Sequence, residues 1–202
     1  MSGNERKVDC GRRNLLVATV CAGGVAGLAV AVPFLTSLSP SERAKAAGAP
    51  VEIDISKLGP GEMTTVEWQG KPVWIMRRTP AQLEALTKIE EKLADPKSER
   101  NPSEFTPEYA RNPQRSRDDH SDVLVLVAIC THLGCSPSGP FASGSNAQLG
   151  EVAGFVCPCH GSTFDLAGRV FKAMPAPDNL KVPPYMFLSD NRILVGQDKK
   201  EG

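Results

Sequence analysis

Two short loops of this chain contain residues that bind metals. Residues 130–135 read Cys-Thr-His-Leu-Gly-Cys and residues 157–162 read Cys-Pro-Cys-His-Gly-Ser, so the loops contain four of the six cysteines and two of the three histidines. Thiolates and imidazoles are usual ligands of zinc and of iron-sulfur clusters. The C-x-H and C-x-x-H spacings offer two sulfur and two nitrogen donors: Cys130, His132, Cys157 and His160. The pattern predicts a metal centre built from both loops.

Two kinds of centre use such a donor set. A structural zinc site takes four tetrahedral ligands of these types, and it would make the chain a zinc-stabilised binding module. A [2Fe-2S] cluster in which two histidines replace two cysteines on one iron uses the same set. Zinc accounts neither for the additional cysteine of each loop nor for the Gly-Ser pair after His160. The sequence therefore favours the iron-sulfur cluster.

The doubled loop block resembles the Rieske iron-sulfur proteins of respiratory cytochrome bc complexes. The resemblance implies one Rieske-type [2Fe-2S] cluster, with the two cysteines of the donor set on an inner iron and the two histidines on an outer, solvent-facing iron. It also implies a disulfide between Cys135 and Cys159 that ties the loops together. Neutral imidazoles remove negative charge from the cluster, so Rieske potentials lie at roughly −150 to +300 mV, against about −400 mV for plant-type ferredoxins.

The resemblance assigns further roles to residues of the two loops. Gly134 and Gly161 would let the backbone approach the sulfides. Ser162 would donate its hydroxyl to a bridging sulfide. Leu133, at the exposed tip between the ligands, would meet a quinone pocket in a partner subunit.

A third loop, residues 174–185, is stiffened by prolines and includes Pro175. In the family this third loop covers the cluster from one side. Two residues depart from the family pattern. Phe164 stands where respiratory members usually have tyrosine, which bears on the potential, and Met174 stands where glycine commonly opens the third loop.

The N-terminal region predicts one membrane anchor, residues 14–38. The apolar run 15–38 would form a helix about 36 Å long, enough to cross a hydrocarbon core of roughly 30 Å. Residues 1–13 are basic and include an Arg12-Arg13 pair typical of a twin-arginine signal, and the positive-inside rule places them in the cytoplasm. The chain would be a single-pass protein of a bacterial inner membrane. A signal peptide cleaved at the small residues 44–48 is the alternative.

Beyond the anchor, the sequence predicts a flexible hinge at 39–50 and a periplasmic all-β Rieske domain at 51–202. This domain would consist of antiparallel sheets with an inserted cluster-binding subdomain at about 128–185. Apolar and alternating runs predict strands at 51–55, 63–68, 72–77, 123–129, 152–156 and 193–195. Helical spacing of apolar residues predicts an amphipathic helix at 80–94. We expect residues 95–122 to form a long polar loop packed against this domain or a partner, residues 136–150 to form a surface insertion, and His120 to be a surface side chain.

Equal numbers of basic and acidic residues, 23 of each, leave no net charge to attract nucleic acid. The resemblance implies the electron-transfer subunit of a quinol:cytochrome c oxidoreductase, working with cytochrome b, cytochrome c1, quinol and the lipid bilayer in a dimeric complex. His160 is the predicted catalytic residue: it would take a proton from quinol, and the electron would pass on to cytochrome c1. The small Rieske subunit of arsenite oxidase is the alternative within the redox proteins.

Overall fold

The computed structural model describes residues 9–39, 41, 48–100 and 105–199. The chain divides into two compact units, Met1–Ala46 and Ala47–Gly202. Much of the predicted hinge, residues 40 and 42–47, and the first eight residues of the N-terminus lie outside the described residues. The hinge and the other predicted domain boundaries therefore stay predictions.

The first unit contains one apolar helix, α1, at Cys10–Ser37. It is 28 residues long with a mean hydropathy of 2.3 in its most apolar window, so it is long and apolar enough to cross a membrane. The helix begins earlier than predicted because the Asp9 side chain caps it, accepting hydrogen bonds from the amides of Gly11 and Arg12. The arginine pair is therefore helical, and the twin-arginine signal stays a prediction.

The second unit is mostly β, as predicted, and the strands among its described residues form three antiparallel sheets of three strands each. The strand orders are β1-β9-β8, β2-β3-β4 and β5-β6-β7. An α-helix, α2, spans Pro80–Lys88. The strands are β1 Val51–Asp54, β2 Met63–Trp68, β3 Lys71–Arg77, β4 Val123–Val127, β5 Ser138–Phe141, β6 Gly154–Val156, β7 Thr163–Asp165, β8 Tyr185–Ser189 and β9 Arg192–Val195.

The sheet β2-β3-β4 carries much of the core. All five residues of β4 are buried, which explains its uninterrupted apolar sequence. Just beyond β4, the Ala128 amide donates a hydrogen bond to the Pro72 carbonyl of β3 at 2.8 Å. This bond fixes the backbone that leads to the first ligand loop. Cys130 follows two residues after Ala128. Trp74 of β3 stacks on Phe155 of β6 with ring centroids 4.7 Å apart, which joins this sheet to β5-β6-β7.

The predicted helix at 80–94 was too long. A capping box between Thr79 and Gln82 starts α2, but the helix ends at Lys88 and a 3-10 turn follows at Glu90–Lys92. Leu93 then turns into the core and pairs with Phe171, so a longer helix is excluded by a tertiary contact. Strands β5, β7 and β8 were not predicted. β7 has three residues and β5 lies inside the expected loop 136–150, so neither has a clear periodic signal.

The described residues of the polar segment 95–122 pack against the domain, as expected, and buried arginines that sequence reasoning missed hold them there. Arg115 is fully buried and donates hydrogen bonds to the carbonyls of Ala167 (3.0 Å) and Leu180 (2.7 Å). Arg78, which directly follows β3, donates to the Ser121 carbonyl at 2.6 Å. Burial lowers the pKa of each guanidinium to about 10, so both are charged at neutral pH.

His120 is not the simple surface residue that we expected. Its ring stacks on Phe187 of β8 with centroids 3.7 Å apart and an interplanar angle of 20°. The side chain of His120 is 21% exposed. The polar neighbours of His120 in the sequence concealed this contact, because Phe187 is distant along the chain.

Candidate iron-sulfur site

The two ligand loops have the same backbone hydrogen bonds. In the first loop, the Cys130 amide donates to the Cys135 carbonyl (2.8 Å) and the Gly134 amide donates to the Cys130 carbonyl (3.0 Å). In the second loop, the Cys157 amide donates to the Ser162 carbonyl (2.7 Å), and the Gly161 amide donates to the Cys157 carbonyl (2.9 Å). Each loop therefore folds back on its first cysteine and presents the intervening residues at its tip.

Positive φ angles explain the glycine in each loop. Gly134 has φ +82° and Gly161 has φ +73°, a region in which other residues are strained. A Cβ at Gly134 would meet no atom within 4 Å, so conformation alone demands glycine there. A Cβ at Gly161 would also lie 3.0 Å from Nε2 of Gln148. The expected approach of these glycines to the cluster sulfides stays a prediction.

The predicted disulfide is confirmed. Cys135 and Cys159 are joined by an S–S bond of 2.09 Å across a sequence separation of 24 residues. The sulfurs of Cys135, Cys157 and Cys159 lie within 4.8 Å of one another. Because the disulfide uses two of these sulfurs, the three do not form a thiolate site of the zinc type. The bond instead ties one ligand loop to the other beside the Cys157 thiol.

The other two loop cysteines are buried thiols that face each other. Cys130 and Cys157 are each 2% exposed. Burial raises the pKa of the Cys130 thiol, and contact with the Cys157 thiol raises it further. A backbone hydrogen bond with His132 and the nearby Ser162 hydroxyl both act to lower the pKa of this thiol. Two adjacent buried thiols suit a bound cation, because metal coordination stabilises the thiolate form that burial disfavours.

The two histidines lie at the same end of the loops. The rings of His132 and His160 cross at 83° with centroids 4.7 Å apart. Nδ1 of His132 is buried and has no hydrogen-bond partner among the described residues. His160 is exposed. A buried imidazole nitrogen without a partner is costly unless something binds it, so His132 fits a metal ligand.

The third loop is bonded to both ligand loops. The Ala176 amide donates to Oγ of Ser162 at 3.0 Å, and Oγ1 of Thr131 donates to the Asp178 carbonyl at 2.6 Å. Pro175 is exposed beside Ala176, and Met174 packs against the core. Sequence reasoning missed Thr131 because its only distinguishing feature in the sequence is its position between the predicted ligands Cys130 and His132. Its hydroxyl holds the first loop to the third.

The remaining predicted site residues separate into the tip and the core. Leu133 is 71% exposed, so the first ligand loop carries an apolar side chain at its tip. Phe164 is fully buried in β7, where it lies opposite Phe155 of β6. This strand follows directly after the second ligand loop, so Phe164 is two residues from Ser162 in the sequence.

Comparisons with known proteins agree with this geometry. Residues 114–184 match the model of the Rieske [2Fe-2S] domain. The ubiquinol-cytochrome c reductase iron-sulfur subunit of Allochromatium vinosum is 50% identical over 194 residues, covering 93% of this chain and 89% of the relative. The chain belongs to this family of Rieske iron-sulfur subunits.

A second member of the family, from Bradyrhizobium diazoefficiens, is 39% identical over 183 residues and covers 90% of this chain and 92% of the relative. A solved structure described as a hyperthermophilic respiratory Complex III is 27% identical, with a TM-score of 0.46 and coverage of 88% of this chain and 97% of that chain. Membership of this Rieske family confirms the predicted cofactor, one Rieske-type [2Fe-2S] cluster. The zinc-stabilised module and the arsenite oxidase subunit are not favoured.

Proposed function

We propose that this chain carries electrons from a quinol to cytochrome c1 within a quinol:cytochrome c oxidoreductase. One arrangement carries the proposal: two buried thiols and two crossed imidazoles lie on loops tied by a disulfide, with a histidine and a leucine exposed at the tip. Family membership supports a place in a cytochrome bc complex. Cytochrome b and cytochrome c1 are the proposed contact subunits, and the complex is proposed to be a dimer.

Four residues would hold the cluster. Cys130 and Cys157 would bind the inner iron from the buried side, and His132 and His160 would bind the outer iron. When bound, a Rieske-type cluster accepts one electron at a potential high enough for a quinol to be its donor. The disulfide between Cys135 and Cys159 would keep both loops closed and limit the access of water to the sulfides.

His160 is the proposed catalytic residue because its ring is the exposed one. An imidazole that binds metal through one nitrogen keeps a titratable proton on the other. In this position, the outer nitrogen of His160 would accept a hydrogen bond from the quinol hydroxyl and then its proton. Leu133 would contact the apolar wall of the quinol pocket, since it presents a large apolar side chain to solvent. His132, whose buried Nδ1 fits a metal-binding nitrogen, would act as a ligand.

Helix α1 supports a single-pass membrane protein. We propose that it lies in the inner membrane, with the N-terminus in the cytoplasm and the Rieske domain in the periplasm. The basic residues Arg12 and Arg13 at the start of the helix support this orientation. The predicted hinge at 39–50 would let the domain move between cytochrome b and cytochrome c1.

The test is an EPR spectrum of the complex purified with the full chain, followed by single-turnover reduction of cytochrome c1. We expect a rhombic signal with an average g value below that of all-cysteine clusters. His160→Gln should lose this signal and the reduction of cytochrome c1. His120→Gln is the matched control because it removes a histidine outside both loops. A purified chain that contains zinc and has no EPR signal would overturn the proposal.

A further inference from the structure

Six residues at the start of the polar segment lie against the third loop, and we call residues 95–100 the strap. The strap is closed on itself by the Asp95 carboxylate, which accepts hydrogen bonds from the amides of Glu99 (2.9 Å) and Arg100 (3.2 Å). Ser98 has φ +56°, a left-handed conformation that is uncommon for a residue other than glycine. The strap is therefore a specifically folded turn.

Asn179 joins the strap to the third loop. It is 3% exposed, and its side-chain amide makes three hydrogen bonds. Nδ2 donates to the Asp95 carbonyl (2.8 Å) and to Oγ of Ser98 (3.0 Å). Oδ1 accepts from the Val170 amide (2.8 Å), in the chain that leads from β7 to the third loop. A buried amide with these partners specifies a single position for the loop, because losing any partner leaves a polar group unsatisfied.

A second link lies nearer to the ligand loops. Nη1 of Arg100 donates to the Pro177 carbonyl at 2.8 Å. Pro177 lies between Ala176, whose amide is bonded to Ser162, and Asp178, whose carbonyl is bonded to Thr131. A continuous set of hydrogen bonds thus runs from the strap through the third loop to both ligand loops.

We propose that Asn179 and Arg100 are positioning residues that hold the third loop closed over the cluster. Neither residue is a ligand. They act through the loop that carries Ala176 and Asp178, and the strap is the rigid support on the other side. The inference rests on the proposed function, because it takes the two ligand loops as the cluster site.

The first experiment compares two substitutions in the strap within the purified complex. Arg100→Gln removes a positive charge and the bond to Pro177, whereas Lys97→Gln removes the same charge from an exposed side chain of the same strap that is outside these bonds. The measurement is the rate at which the rhombic EPR signal disappears in excess chelator. We expect Arg100→Gln to accelerate cluster loss about two- to tenfold, the range for one net hydrogen bond, and Lys97→Gln to leave it unchanged.

Hydrogen exchange at the Ala176 amide distinguishes loss of this local support from a general destabilisation of the domain. Arg100→Gln should accelerate exchange there by a similar factor while the β4 amides remain protected. A double-mutant cycle joins the strap to Asn179. Ser98→Ala should accelerate cluster loss in the natural chain and have little effect beside Asn179→Leu, because both substitutions remove the same bond.

Equal rates of cluster loss in Arg100→Gln and Lys97→Gln, with unchanged exchange at Ala176, would overturn the role of the strap. Should Asn179→Leu fail to fold, the smaller changes Arg100→Gln and Ser98→Ala still decide the question. The proposed function fails by a different result, the absence of a Rieske signal from the unsubstituted complex, so the two failures are distinguishable.

Discussion

The hydroxyl oxygen of Ser162 accepts a hydrogen bond from the Ala176 amide at 3.0 Å. The same hydroxyl lies beside the Cys130 thiol, where it acts to lower the pKa of that thiol. Ser162 is fully buried, so both interactions are shielded from water. One side chain therefore connects the second ligand loop, the third loop and a thiol of the first ligand loop.

We expect Ser162→Ala to lower the midpoint potential of the cluster. A hydroxyl donated to sulfur favours the reduced cluster, which carries more negative charge. If the bond has a differential strength of about 0.5 to 1.5 kcal/mol, the midpoint falls by roughly 20 to 65 mV. Voltammetry or an EPR redox titration measures the change, and quinol oxidation should slow as its driving force falls. An unchanged midpoint with the cluster intact would show that the hydroxyl does not interact with the sulfurs.

Phe164→Tyr should move the midpoint in the opposite direction. In the family, a tyrosine hydroxyl at this place donates a hydrogen bond to a ligand cysteine sulfur, and Phe164 is buried directly after the second ligand loop. The added bond should raise the midpoint by roughly 20 to 65 mV. Phe155→Tyr, on the paired strand, is the matched control and should not raise it. A fall or no change in Phe164→Tyr would mean that the side chain does not reach the sulfur.

The two kinds of loop cysteine should respond differently to substitution. Cys135→Ser breaks the disulfide but leaves all four proposed ligands, so some [2Fe-2S] cluster should assemble and then be lost faster than in the natural chain. Cys130→Ser removes a proposed ligand from a buried site and should assemble almost no cluster. Iron content and the visible spectrum of freshly purified protein measure both. Equal cluster content in the two variants would contradict this division of roles.

Arg115→Met should destabilise the domain strongly. The guanidinium bonds the carbonyls of Ala167 and Leu180 in a fully buried position, and its removal leaves these acceptors unsatisfied at a cost of about 3 to 5 kcal/mol. Arg111→Gln is the control from the same segment, because Arg111 pairs with the exposed Glu108 and its loss should cost less than about 1 kcal/mol. Thermal unfolding of the purified full chain compares the two. Similar midpoints of unfolding would show that Arg115 is not a structural support.

Local features of the sequence were enough to predict the iron-sulfur cofactor and the apolar N-terminal helix. The spacing of cysteine and histidine in residues 130–135 and 157–162 is a property of short segments, and so is the apolar run that forms α1. The strands β2 and β4 were likewise predicted closely, because alternation or continuous apolarity within a few residues reports their burial. The disulfide between Cys135 and Cys159 followed from resemblance and is confirmed.

Only the tertiary structure decided which polar residues are buried and what they hold. Arg115, Asn179 and Thr131 belong to segments that the sequence predicts to be loops, yet each bonds a backbone carbonyl 47 to 84 residues away along the chain. Polar side chains enter the interior where a distant segment supplies their hydrogen-bond partners, and that condition leaves no mark in local composition. The kind of cofactor could therefore be predicted from the sequence, whereas the hydrogen bonds that hold the two cysteine-histidine loops and the third loop in place could not.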